Sequence, residues 1–533
     1  MNIKKLLALF ILLILSAFVS NQLSPYDNNW GDSIPTPKSD SSLEWWQDAV
    51  FYEIFVRSFY DTNNDGIGDF NGITQKLNYL QGLGVNAIWL MPIHPSPSYH
   101  GYDVINYFAV NHEYGTMEDF KSLLEEAHKR DMHIIIDLVI NHTSALHPFF
   151  IDANSKPDSP YRDWYIWSNE RQGNGWHQGY KGFYYGLFSD GMPDLNYNNP
   201  EVTDFMNRVV EYWLTNVGVD GFRVDAAKHL IEEGGQTENT LATHDWYRDF
   251  YTTYKTYHAE AYTVGEVFGA GGFIATTYQE QLEQIFNFEL ASGLVNSAKG
   301  ESNTGINSAL KFTLKEIDDG NYATFLTNHD QNRVMSTLDG NVDKAKLAAF
   351  MLLTLPGTPF LYYGEEIGTQ GKKPDEDIRL PMQWSAEDNA GFSESKPWRD
   401  PESNYQQANV ALQENDPDSL LSYYRELIQL RLSHPALRTG NTILVETGNS
   451  GVYSILRIGE DEKLLILANL AGKALTDYAL NISEAGIEGS TFTPVILFGS
   501  TQGDPWTLEK NALNLYKPFD TLPPFQAYIF QIK

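Results

Sequence analysis

The 533-residue chain contains no cysteine. That excludes a disulfide framework, a cysteine-ligated zinc site and a lipid anchor on an N-terminal Cys. Basic residues are scarce: 37 Lys and Arg stand against 69 Asp and Glu, for a formal net charge of -32. Affinity for nucleic acid and anionic membrane comes from Lys and Arg, so neither partner is expected. No long apolar run follows residue 19, and the run at 6–19 is short for a bilayer span of about 20 residues. A Gly-x-Ser-x-Gly nucleophile elbow, a His-Glu-x-x-His zinc helix and a Gly-Lys-Ser/Thr phosphate loop are also missing, which removes the best-marked esterase, metalloprotease and nucleotide-hydrolase readings. No internal repeat is evident.

What is present is a recurring pattern of acids. Three segments each deliver an acidic residue at the end of an apolar run: Gly221-Phe222-Arg223-Val224-Asp225, Thr263-Val264-Gly265-Glu266-Val267 and Phe325-Leu326-Thr327-Asn328-His329-Asp330. Continuous apolar strands mark a buried parallel sheet, and a carboxylate just past the strand end sits where (β/α)-barrel enzymes place reactive groups. A single such Asp is more often a helix cap; three can meet in one cleft. Glycosidic cleavage needs one protonated carboxyl for the leaving oxygen and one carboxylate to attack or stabilise the sugar cation, and a third acid can grip hydroxyls. Arg223, two residues from Asp225 and so on the same strand face, would keep that Asp ionised at neutral pH.

With Asp137-Leu138-Val139-Ile140-Asn141-His142, these segments resemble the four short motifs of the α-amylase superfamily of retaining α-glycoside hydrolases and transglycosylases. Gly101-Tyr102-Asp103, Met192-Pro193-Asp194-Leu195-Asn196 and the run from Gly357 to Glu366 resemble further family motifs, in the right order between about residues 48 and 435. The resemblance implies a (β/α)8 TIM barrel with a small domain inserted after strand 3 and a C-terminal antiparallel β domain. It implies Asp225 as nucleophile, Glu266 as general acid/base and Asp330 as the carboxylate that holds the sugar. It also implies that Tyr102, His142, Arg223 and His329 contact the nucleophile or the sugar at the cleavage point. Lys228 and His229 resemble a pair that contacts sugars on the leaving-group side. Neutral α-glucan is the implied substrate and a monomer the expected state. A non-catalytic, transporter-associated barrel is disfavoured because all three carboxylates are intact.

Specificity within the superfamily rests on fewer residues. Ala226, where α-1,6-cleaving relatives often carry Val, favours α-1,4 bonds. Tyr99, where exo-acting α-glucosidases commonly place an Asp, favours an open cleft and endo cleavage. The fifth motif is intermediate between those of oligo-1,6-glucosidases and neopullulanases, so α-glucosidase, cyclodextrin or pullulan hydrolase, and transglycosylase activities stay open.

Asp61, Asn63, Asp65, Ile67 and Asp69 alternate around Gly66 as in the first part of an EF-hand loop, but the twelfth position is Gly72, where an EF-hand needs a bidentate Glu. The loop instead resembles a Ca2+ site of bacterial members of the superfamily; the competing reading is an Asx-rich turn without metal. Asn141 resembles a ligand of a second such site whose other ligands the sequence does not identify.

Residues 1–20 read as a signal peptide, with a retained anchor as the alternative, and imply secretion. Residues 21–44 read as a linker. The expected barrel occupies 45–141 and 199–440, the insert 142–198, and a C-terminal β-sandwich 441–533. Aromatic residues make up 14% of the chain. Trp164, Trp167, Trp176, Tyr184 and Tyr185 in the insert are the candidates for stacking on sugar faces. Surface acidity that maintains solubility in high salt is a further expectation, against ordinary surface acidity.

Overall fold

The computed structural model describes residues 43–532 apart from 270–271, 318–319, 484–490, 493, 500–507 and 510–512. The expected leader, and all of the linker but its last two residues, lie outside that range.

Eight short parallel strands form the central sheet: β1 (Phe51–Ile54), β2 (Ala87–Leu90), β3 (His133–Leu138), β4 (Gly221–Val224), β5 (Tyr262–Gly265), β6 (Gln284–Ile285), β7 (Ala323–Phe325) and β8 (Thr358–Tyr362). Each pairs with its sequence neighbour, β8 returns to pair with β1, and a parallel bridge between Phe286 and Ala323 joins β6 to β7. The result is the expected barrel, with helices such as Phe70–Leu83 and Met117–His128 packed outside. Burial of these strands explains why their sequences are mostly apolar, with Glu53, Asp137 and Arg223 as charged exceptions. At the start of β4, Gly221 is required by space, because a Cβ there would lie 2.0 Å from the Tyr262 carbonyl oxygen.

Alternation along the strands sorts the interior from the shell. Ile54, Ile88, Leu90, Ile136 and Phe222 pack outward against helices. Phe51, Trp89, Ile135, Val264, Phe286, Phe325 and Phe360 fill the interior, with Phe51 and Phe360 stacked at 4.2 Å. The turn Trp45–Asp48 closes the floor, and a buried pair of Asp48 with Arg438 at 2.6 Å ties it to the helix Pro435–Thr439.

Between β3 and β4, residues 142–198 carry the helix Pro148–Ser155 and a small sheet of Trp167–Ser168, Phe183–Tyr185 and Trp176–Gln178. After the barrel come β9 (Asn441–Leu444), β10 (Val452–Ile458), β11 (Lys463–Asn469), β12 (Val495–Phe498) and β13 (Ala527–Ile532). They form an antiparallel sheet in the order β9-β10-β11-β13-β12, accompanied by a two-stranded pair, Thr491–Phe492 with Leu508–Glu509. Among the described residues no helix is long and apolar enough to cross a membrane.

Candidate active site

Strand parity builds the site. Residues two apart share a face, so interior residues of the floor are followed by residues nearer the mouth: Phe51 by Glu53, Ile135 by Asp137 and Val264 by Glu266, with Arg223 level with Asp137 and Asp225 beyond it. An aromatic layer therefore lies beneath an ionic one. At the centre of the ionic layer is Arg223, 1% exposed. Its Nη1 donates to Asp137 Oδ1 and to Asp225 Oδ1, each at 2.6 Å, and its Nη2 to Glu266 Oε2 at 2.7 Å.

One cation thus faces three carboxyl groups, too few positive charges for all three to ionise readily. Burial pushes Glu266 above its ordinary value; Arg223 opposes, and the negative charges of Asp225 and Asp330 add to the rise. Burial also raises Asp225, against the charge and hydrogen bond of Arg223. Arg223 makes the ion pair read from the sequence, but it offsets burial only in part. Asp137 is pushed up to about 7, burial again outweighing Arg223. The backbone helps to orient Glu266. Ala226 holds the left-handed conformation at φ 48°, and its N–H donates to Glu266 Oε2. Both donors converge on Oε2, so the proton of the acid belongs on Oε1.

Asp330 is the most open of the three expected carboxylates, with its side chain 44% exposed against 11% for Asp225 and 15% for Glu266. Burial would raise its pKa, but His329 and Arg379 outweigh burial and hold it below the ordinary value. Arg379 donates from Nη2 to Asp330 Oδ1 at 2.8 Å and from Nε to the His329 carbonyl. Tyr102 stacks on the His329 ring at 5.6 Å, with its hydroxyl 2.7 Å from His329 Nε2. On the far side of that ring, Glu53 Oε1 lies 2.6 Å from Nδ1.

His142 donates from Nε2 to the Tyr102 carbonyl oxygen, and burial lowers its pKa to about 4, so it is neutral. Lys228 and His229 lie on the other side of the carboxylates, gathered about Glu238, which Lys228 pairs with at 2.5 Å. Phe188, 48% exposed, packs against both His142 and His229. The insert rings chosen from the sequence have other work. Trp164, Tyr184 and Tyr185 are buried, Trp167 stacks on Phe150, and Trp176 leans on Tyr185.

Glu53, Arg379 and Phe188 were not singled out from the sequence. Glu53 had a signal, as an acid inside an apolar strand. Phe188 lies just before the Met192 motif, and nothing local marks Arg379.

Asp61, Asn63, Asp65, Ile67 and Asp69 lie in the loop between β1 and the helix Phe70–Leu83. Asp61 accepts the N–H groups of Asn63, Asn64 and Gly66, while Asn63 and Asp65 each accept the N–H two residues on. Asp69 caps the helix through the Gly72 N–H and also binds Thr62. Among the described residues no group of three or more His, Asp or Glu side chains converges as a metal cluster. A cation here would therefore need Asp61 and Asp65 together with the Asn63 amide and backbone carbonyls such as that of Ile67; that donor set is all oxygen, as calcium prefers. A second group of oxygens adjoins the cleft: Asn141 Oδ1, Asp194 Oδ2 and Glu232 Oε1 are all buried without a hydrogen-bond partner. Burial and the charge of Glu232 raise Asp194, and burial pushes Glu232 up to about 7.

Carboxyl groups gathered around one guanidinium, at the C-terminal mouth of a (β/α)8 barrel, are the arrangement that glycoside hydrolysis requires. Residues 53–440 match the family described as Alpha amylase, catalytic domain. The chain belongs to that family, glycoside hydrolase family 13. It is 41% identical over 435 residues to alpha-amylase 3 of Dictyoglomus thermophilum, covering 80% of this chain and 85% of the relative. It is 34% identical over 514 residues to the oligo-1,6-glucosidase of Parageobacillus thermoglucosidasius, covering 80% and 91%. The crystal structure of alpha-amylase from H. orenii superposes with a TM-score of 0.80 at 38% identity, covering 91% of this chain and 99% of that one.

Proposed function

We propose that the chain is a secreted, monomeric α-amylase that cleaves internal α-1,4 bonds of starch and maltooligosaccharides with retention of configuration. Asp225 attacks the anomeric carbon while the Glu266 proton passes to the leaving oxygen, giving a covalent glycosyl-enzyme. Glu266 then takes a proton from water, which displaces Asp225. A single guanidinium bridging the two carboxyls favours the close spacing of retaining enzymes, about 5–5.5 Å, over the wider spacing of inverting ones. The leader-like residues 1–20 support secretion.

The observation that carries the endo reading is Tyr99. Where an exo-acting enzyme would grip a chain end with a carboxylate, this chain has a ring stacked on Trp398 at 5.5 Å and 5.9 Å from the Arg379 guanidinium. That side of the cleft has no acid at this position to hold a terminal sugar. A second reading, oligo-1,6-glucosidase, is favoured by the intermediate fifth motif and by the 34% relative of that name. Ca2+ belongs to the proposal at the Asp61 loop and at the Asn141–Asp194 group, where unpartnered buried oxygens suit a hard cation.

Amylose followed simultaneously by iodine colour and by reducing ends tests the reading. Rapid colour loss at low reducing-end yield is expected. Steady glucose release with slow colour loss, or activity confined to isomaltose, would replace it with the exo or α-1,6 reading.

A further inference from the structure

His329 is sandwiched between acids. Its ring is wholly buried, and Glu53 Oε1 stands 2.6 Å from Nδ1. At the opposite nitrogen, Nε2 meets the Tyr102 hydroxyl at 2.7 Å and Asp330 Oδ2 at 3.3 Å. The Tyr102 hydroxyl also lies 3.3 Å from Asp137 Oδ2. A neutral imidazole has one N–H and one lone pair; here either tautomer would set that lone pair against a carboxylate, Glu53 at Nδ1 or Asp330 at Nε2. Only the doubly protonated ring donates to both carboxylates.

We infer that Glu53 is a positioning residue that holds His329 as an imidazolium and through it keeps Asp330 ionised where it grips the sugar. Glu53 and His329 are 2% and 0% exposed, so water screens their attraction little. The other charged or titratable groups around the ring are Tyr102 from the segment after β2, Asp137 of β3 with Arg223 behind it, Asp225 beyond β4, Asp330 on the same loop, and Arg379 after β8. Burial and Arg379 oppose the charge on His329, while Asp330 and Glu53 favour it and prevail. Without Glu53, burial and Arg379 would be opposed chiefly by the half-exposed Asp330.

The test is Glu53→Gln, which keeps the shape and an oxygen for Nδ1–H but removes the charge. Losing an opposite charge at contact lowers a histidine by about 1–3 pH units. The variant should therefore match the parent in kcat/KM on a soluble maltooligosaccharide near pH 5 and fall about tenfold or more by pH 7.5. An unchanged profile, or an equal loss at every pH, would overturn the inference, since a merely structural role does not move the limb. A second arm needs neither a folded Glu53 variant nor the glycosidase reading of the site. In the parent labelled at histidine ring carbons, the NMR signal missing from His329→Gln should stay at the imidazolium position up to pH 8. Titration of that signal below pH 7 would overturn it.

Discussion

Replacing Arg223 with Met leaves most of the side-chain volume and removes the cation that contacts Asp137, Asp225 and Glu266, at 2.6, 2.6 and 2.7 Å. Removing one partner of a buried ion pair costs about 3–5 kcal/mol, because the remaining charge is stranded away from water. The stranded carboxyls relieve the cost by binding protons. Burial already raises all three, and Arg223 is the strongest force opposing it at each, so their folded values rise by about 1–3 further units. A carboxyl whose folded value exceeds its unfolded one destabilises increasingly as pH climbs from the unfolded value to the folded one. The deficit of the variant should therefore be small near pH 4 and approach about 3–5 kcal/mol by pH 8, measured as denaturant midpoints at each pH. The same shift raises the pH at which Asp225 ionises, so the acid limb of kcat/KM should move upward by at least about one unit. A variant with a deficit below about 1 kcal/mol at pH 8 and an unmoved acid limb would show that Arg223 does not set the ionisation of these groups.

Glu266→Gln should lower kcat by about 10²–10⁴-fold, the usual worth of a general acid, with substrate binding retained; near-parental turnover would reassign the acid. Asp220 receives the Ile134 N–H and contacts His128 and His133 at 2.9 and 3.1 Å. Burial opposes its ionisation, but those partners outweigh it and hold the carboxyl at about 2 against an ordinary 3.8. Its contribution is present above pH 4 and fades as pH falls toward 2, so Asp220→Asn should cost roughly 2 kcal/mol at pH 7 and progressively less on acidification in thermal melts. If Ca2+ occupies the proposed sites at a hundred times its Kd, chelation should remove about 2.7 kcal/mol of stability per site; an unchanged melt of protein assayed to be metal-free beforehand and afterwards reloaded would refute those sites.

What was legible in the sequence was what a single strand can write. A parallel strand buried on both faces is mostly apolar, so an acid at its end stands out, and β4 and β5 with Asp225 and Glu266 could be read from a few residues each. β6 is two residues long, Gln284–Ile285, too short for any periodicity, and only its place in the ring makes it a strand. The Asp61–Asp69 loop wrote its alternating oxygens plainly but not whether they turn toward an ion or toward their own backbone. The insert misled in a different way. Its density of Trp and Tyr suggested sugar platforms, yet a domain of about 57 residues has little interior to spare, and its own small core takes most of those rings. Phe188, left at the rim, meets His142 and His229 instead. Glu53 is the most instructive omission, because its meaning lies in His329, 276 residues away along the chain. An acid inside an apolar strand is a local anomaly that sequence can flag; the charge that justifies burying it is visible only once the barrel closes and brings β1 beside the loop after β7. Residues proposed to touch the substrate were thus readable as strand-end signals, whereas those proposed to set their charge were readable only as exceptions awaiting a partner.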